Sequence, residues 1–144
     1  MPVSAAHSQI VFDALKAGGV CLRSALPETW LVHLIRLADD DPDVTLVRLP
    51  KEEEGVGISM GAQLYRIPLL MLISDRGTFG ERDPWQTEGG AVTESVLAAL
   101  RIPIMRLDDP AKVAHRVRQA LALAHSSNKP VALLLTRDLM WEEA

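Results

Sequence analysis

A chain of 144 residues with 48% hydrophobic content is long enough for one well-buried domain and too short for two of ordinary size. The net charge of −4 and the lack of Lys/Arg runs exclude a nucleic-acid or anionic-membrane footprint, and no segment reaches the roughly 18 uninterrupted apolar residues that a membrane helix needs. The first residues, MPVSAAHSQIVFDAL, lack a basic region followed by a long apolar core, and Cys21 is the only cysteine, so a cytoplasmic chain without an intrachain disulfide is expected.

Periodicity predicts alternating helices and strands. Ile10, Val11, Ala14 and Leu15 form a helical stripe that Gly18-Gly19 should stop. Val20 to Leu26 reads as a strand with Cys21 as a small hydrophobe within it, and Pro27 to Ala38 as a helix ended by the acidic turn Asp39 to Asp43. Val44 to Leu49 is a second strand and Glu52 to Tyr65 the helix after it. Pro68 to Ser74 (PLLMLIS) is nearly all apolar, as expected of a strand covered on both faces at the centre of a sheet. A polar loop from Asp75 to Gly90 should follow, then a helix near Ala91 to Leu100 and a strand at Ile102 to Leu107. Asp109-Pro110 launches a helix with Val113, Val117, Ala120, Leu121 and Ala124 on its apolar stripe, and the strand Pro130 to Thr136 leads into an acidic tail, 137–144. Strands separated by helix-length crossovers imply an α/β fold, a doubly wound, mostly parallel sheet with helices on both faces.

Three consecutive glutamates, Glu52, Glu53 and Glu54, follow the strand ending at Pro50. In open α/β sheets ligands sit at the carboxyl ends of the strands, so an acid there can meet a cofactor. The same residues also suit a helix start, where the dipole stabilises each negative charge by roughly 0.3 to 1 kcal/mol. At about 100° per residue the three cannot share one direction, and Glu52, nearest the strand end, is the best candidate for the inward position. Behind them, Gly57 and Gly61 share a helix face at a cost of roughly 1 kcal/mol each relative to alanine. Tight packing within the chain, a bound cofactor or a subunit interface would each explain them.

KEEEGVGISMGAQLYRIPLLMLIS resembles the signature region of the pyrimidine-binding (PYR) domain of thiamine-diphosphate enzymes, in which a glutamate stands nine residues before a helix glycine, as Glu52 stands before Gly61. It is similar above all to sulfopyruvate and phosphonopyruvate decarboxylases, whose motif, approximately E-G-E/N-A-V-G-I-A-A-G, matches Glu52, Glu54, Val56, Gly57, Ile58 and Gly61. ALPETWL resembles their V-P-D-S-W-L element on Leu26, Pro27, Trp30 and Leu31. Lys51, Gly55 and the SDRGTFGERDPWQ loop depart from the family pattern.

The resemblance implies one PYR domain over residues 1–144, acting as the alpha subunit of a thiamine-diphosphate-dependent 2-oxo acid decarboxylase. Glu52 would be the catalytic residue, since a carboxyl group of raised pKa in an apolar pocket can supply the hydrogen bond that an aminopyrimidine nitrogen requires. Pro27, Gly77, Thr78 and Phe79 would join Glu52 around the cofactor. Arg76, Thr78 and His33 would face a small anionic 2-oxo acid such as sulfopyruvate or phosphonopyruvate, with Arg76 as a bidentate anion partner; a solvated loop charge is the plainer reading of Arg76 and Arg82. Trp85 and Gln86 would pack or line the site.

The family's diphosphate-Mg²⁺ signature, GDG with a downstream Asn, is missing, as are GxGxxG and Walker A patterns. The resemblance therefore implies a second chain, a diphosphate-binding (PP-domain, beta) subunit that holds most of the diphosphate and the Mg²⁺, and self-association of PYR domains. His7, His33, His115 and His125 show no ligand spacing, so no protein metal site is expected. The competing expectations are a non-catalytic PYR-like assembly or regulatory module and an unrelated flavodoxin-like ligand-binding domain.

Overall fold

A computed structural model of the chain describes residues 3–50, 54, 57, 58, 61 and 64–142. Helix α1 (Ala5–Ala17) starts where the Ser4 hydroxyl accepts from the His7 amide at 3.2 Å and ends at Gly18, with Gly19 at φ +80°. It buries Val11, Phe12, Ala14 and Leu15, while Ile10 stands at the exposed edge of the stripe. Strand β1 (Leu22–Ala25) leads through a 3-10 turn (Thr29–Leu31) into α2 (Val32–Asp40), and β2 (Thr45–Arg48) follows. Cys21 is exposed on the residue before β1 rather than packed within a strand.

Glu54, Gly57, Ile58, Gly61 and Leu64 are helical, and the Tyr65 amide donates to the Gly61 carbonyl at 3.0 Å. Glu52, the expected catalytic residue, lies outside the described residues, as do Lys51 and Glu53. The chain continues through β3 (Leu69–Ser74), α3 (Pro84–Ala91), α4 (Thr93–Ala99), β4 (Ile104–Leu107), a 3-10 turn (Pro110–Lys112), α5 (Val113–Ser127), β5 (Pro130–Leu135) and α6 (Arg137–Met140).

All described ladders are parallel, in a two-stranded sheet β1-β2 and a three-stranded sheet β3-β5-β4. Strand β5 is therefore central, and its six residues are all buried. Val131, Leu133 and Leu135 join the core formed with α1 and α5, while Ala132 and Leu134 pack with Leu97 and Ile102 on the opposite face. Helices thus cover both faces, as a doubly wound sheet requires.

Two expectations need correction. PLLMLIS is not the centre of the sheet: β3 pairs only with β5 among the described strands, and all six of its residues are half-buried because its other edge lines a cleft. The polar loop is also shorter than expected, since Pro84–Ala91 is helical with Asp83 and Pro84 at its start. Proline at the first helical position has a suitable φ and lacks only an amide that would be unpaired there. The acidic C-terminal segment is packed as far as it is described, with Leu139 and Met140 fully buried and Trp141 bridged to Val3.

Helix α5 ends on Asn128 in the left-handed region, at φ 50° and ψ 45°. An L-residue with a Cβ but no local hydrogen-bonding side chain is strained there by about 1 kcal/mol or more. Asn128→Ala should thus lower the unfolding temperature while Asn128→Gly keeps or raises it, and equal thermal transitions for the two variants would contradict this reading of the cap.

Candidate functional site

The two sheets present their facing edges, β1 and β3, to a cleft of about 910 Å³. Its described walls are mostly apolar, drawn from β1, α2, β3 and α4 and including Leu31, Leu46, Ile58, Leu70, Leu72 and Leu97. Polar and charged lining comes from Arg23, Ser24, Glu28, Ser74, Arg76 and Gln86. Apolar walls with a few convergent polar groups are the usual make-up of a small-molecule site, where a small number of hydrogen bonds fix the ligand's orientation.

The polar groups converge where β3 ends. Glu28 caps the 3-10 turn by accepting from the Trp30 amide at 2.8 Å, and the same oxygen accepts from Ser74 Oγ at 2.9 Å. One carboxylate therefore ties the segment after β1 to the end of β3. Arg76 is buried and enclosed by acids: its Nε donates to Glu81 at 2.8 Å, Nη2 to Glu81 at 3.2 Å and to Asp83 at 2.8 Å, and Nη1 to Glu28 at 3.3 Å. Its guanidinium also stacks 5.0 Å from the centre of the buried Trp30 ring.

Glu81 is the hub of this loop. Besides Arg76 it accepts from the Gly77 amide at 3.2 Å, the Arg82 amide at 2.9 Å and the Asp83 amide at 3.2 Å. Arg76 above all, with those amides, pulls the Glu81 carboxyl from 4.5 to about 2 against the opposing effect of burial. The loop also lies tightly on α3. A Cβ on Gly90 would fall 1.8 Å from the Arg76 carbonyl oxygen, and one on Gly77, whose φ is +74°, 2.7 Å from that of Thr87.

Two further ionic groups flank the cluster. Asp75 is buried at the end of β3, and desolvation raises its pKa, opposed by Arg106 at 3.6 Å. Arg106 also pairs with Glu94 on α4. Arg23 on β1 stacks 4.3 Å from the Phe12 ring centre, and desolvation lowers its pKa. Among the described residues its Nε has no hydrogen-bond partner.

Of the residues singled out from the sequence, Arg76 lines the cleft, and Gly77 beside it is half-buried. Arg76 is no solvated charge, contrary to the plainer expectation. Pro27, Thr78 and Phe79 are exposed and His33 is half-buried on α2; none of the four is among the described residues lining the cleft. Gln86 lines it, whereas Trp85 is exposed. Sequence reasoning missed Glu28, Ser74, Glu81 and Arg137. Glu28 stood inside the ALPETWL motif, and the acids five and seven positions after Arg76 were a local signal for its ion pairs.

Among the described residues no group of three or more His, Cys, Asp or Glu side chains could hold a metal ion, and no helix is long and apolar enough to cross a membrane. No family model matches the chain. It is similar to the sulfopyruvate decarboxylase alpha subunit of Methanothermobacter thermautotrophicus, at 27% identity covering 89% of this chain and 94% of the relative. The alpha subunits of the same name from Methanococcus maripaludis (27% identity, 94% and 96% covered) and Methanocaldococcus jannaschii (26%, 94% and 95%) are similar over the same extent. The similarity to these three alpha subunits runs along nearly the whole length of the chain.

Proposed function

We propose that this chain is the pyrimidine-binding subunit of a two-chain, thiamine-diphosphate-dependent decarboxylase in the cytoplasm, acting on a small anionic 2-oxo acid such as sulfopyruvate or phosphonopyruvate. The observation that carries the reading is the similarity to three alpha subunits over 89% or more of the chain. The mostly apolar cleft beside β3 fits the pyrimidine ring of the cofactor. Bound thiamine diphosphate supplies the carbon nucleophile and the electron sink that loss of carbon dioxide from a 2-oxo acid requires.

The chain's own residues bind and orient. Glu52, by its register to Gly61, holds a proton or hydrogen bond at the pyrimidine nitrogen. Pro27, Gly77, Thr78 and Phe79 for the cofactor, and Thr78 and His33 for the substrate, lie outside the described lining of the cleft and would border the ligands only where these extend beyond it. Arg76 receives the acidic end of the substrate by exchanging its longest contact, that to Glu28, while Glu81 and Asp83 hold the guanidinium in place. The diphosphate and Mg²⁺ fall to a PP-domain beta chain, because this sequence carries no GDG signature.

Surface chemistry supports partners. Val92, Phe79 and Trp85 are exposed and lie outside the described lining of the cleft. No described atom lies within 4 Å of the position a Cβ would take on Gly57 or Gly61. Open space at both positions among the described residues supports a cofactor or a second subunit as their neighbour. Gly57→Ala and Gly61→Ala should leave the isolated chain at least as stable, since alanine is favoured in a helix by about 1 kcal/mol. Assembly with the beta chain or a second PYR domain should weaken. Unchanged assembly in sedimentation experiments would remove the interface reading.

The function is tested by mixing the chain with a partner that carries GDG and a downstream Asn, and measuring carbon dioxide release from a panel of 2-oxo acids. Faster release from acids bearing a second anionic group is the expected result. A stable complex without turnover on any 2-oxo acid would favour the non-catalytic module instead.

A further inference from the structure

The C-terminal helix α6 reaches the site from behind the cleft. Its position is fixed by buried anchors: the Thr136 hydroxyl donates to the Leu107 carbonyl at 2.9 Å, and His7 Nδ1 contacts the Leu139 carbonyl at 2.6 Å. The Ser4 amide donates to the Met140 carbonyl at 2.7 Å, and Leu139 and Met140 are fully buried. From this anchored turn Arg137 extends to the loop that follows β3.

Three observations place Arg137 against that loop. Its Nη2 lies 3.5 Å from Glu81 Oε1. Gly80, at φ +85°, approaches so closely that a Cβ there would lie 3.4 Å from Arg137 Cδ. The guanidinium is also held between two indoles, 5.0 Å from the ring centre of Trp141 and 5.9 Å from that of Trp30, which meet edge to face with centres 6.3 Å apart. Trp30 carries Arg76 as well, at 5.0 Å. Arg76, Trp30, Arg137 and Trp141 thus form a continuous chain of cation and ring contacts, closed through Glu81, which accepts from both arginines.

We propose that the segment Arg137–Trp141 is a positioning element for the site: Arg137, gripped by Trp141 and Trp30, sets the conformation of residues 76–83 by holding Glu81 and Gly80. None of these residues lines the cleft except Arg76. Arg137 and Trp141 act through Glu81 on Arg76. Their catalytic consequence rests on the decarboxylase reading; their effect on the loop does not.

The test is amide hydrogen exchange in the full chain, followed at the Gly77, Arg82 and Asp83 amides that Glu81 accepts. The Ala132 and Ile102 amides, bonded to the Pro103 and Leu97 carbonyls, report on the rest of the fold. In Arg137→Met and Trp141→Ala the three loop amides should exchange about tenfold faster, while the two reference amides keep their rates. Trp141→Phe, which retains a ring for the guanidinium, should restore most of the protection, and a purely structural loss of volume would not be rescued so selectively. Unchanged loop exchange in both Arg137→Met and Trp141→Ala, or an equal rise at all five amides, would overturn the proposal. In the assembled enzyme Arg137→Met should raise KM for the anionic acid more than it lowers kcat. Selective loop exchange with an inactive wild-type complex would refute the decarboxylase reading and leave the positioning role standing.

Discussion

Replacing Glu52 by Gln is expected to lower turnover of the assembled enzyme by about 10²- to 10⁴-fold while leaving the chain folded and able to assemble, the range that a positioned acid or base contributes. Glutamine is nearly isosteric and can still donate or accept a hydrogen bond, but it cannot exchange a proton with a ring nitrogen. The effect should therefore fall on kcat rather than on cofactor affinity. Glu53→Gln, at the adjacent position in the sequence, is the control and should stay near wild-type activity. Stopped-flow turnover and cofactor titration of both variants check the pair. Wild-type kcat in Glu52→Gln would remove Glu52 from its proposed role without touching the fold.

The second large effect concerns stability. Glu81→Ala removes the best-placed partner of a buried guanidinium and the carboxylate that accepts from the Gly77, Arg82 and Asp83 amides. Breaking a buried ion pair on one side typically costs about 3 to 5 kcal/mol, because the surviving charge is left uncompensated. Here Glu28 and Asp83 still contact Arg76, which sets the expectation near the lower end of that range. Urea unfolding at neutral pH should show the loss as a lower midpoint with an unchanged slope.

The same carboxyl makes the wild-type chain acid-sensitive in a defined window. Its folded value, about 2, lies below the ordinary 4.5, so the folded chain binds fewer protons than the unfolded one between these values. The Glu81 contribution is then complete above about pH 4.5 and is lost as the pH falls toward 2. The stability difference between wild type and Glu81→Ala should shrink through that window, and a difference independent of pH from 7 to 2.5, the lower end being on the order of the shifted value, would contradict the assigned ion pair.

Much of the fold was legible because its signals are local. Gly18 and Gly19 end α1, Asp109-Pro110 launches the turn before α5, and Val113, Val117, Ala120 and Ala124 are the buried stripe that helical spacing predicts. The order of strands was less legible. PLLMLIS and PVALLL are equally apolar, and hydropathy cannot tell a strand paired on both edges from one whose second edge faces a cleft. The start of α3 was readable in Asp83-Pro84, while its end carries Gly90, whose lack of a side chain serves close contact with Arg76.

For the site, the sequence pointed to Arg76 but not to its setting. The acids at 81 and 83 are near enough in the chain to have been suspected. Glu28 lies 48 residues away, and Arg137 reaches Glu81 across 56. Contacts at such separations leave no periodic trace, since they arise only when β1, β3 and α6 are brought together by the fold. Glu52 rests on the register to Gly61 and lies outside the described residues.

The claim on which the functional reading turns is that the cofactor site is divided between two chains. Thiamine diphosphate binding in the presence of Mg²⁺, titrated calorimetrically into this chain, into the GDG-bearing partner and into their mixture, tests it most directly. The expected result is stoichiometric binding with carbon dioxide release from a 2-oxo acid only in the mixture. Tight cofactor binding and turnover by this chain alone would contradict it.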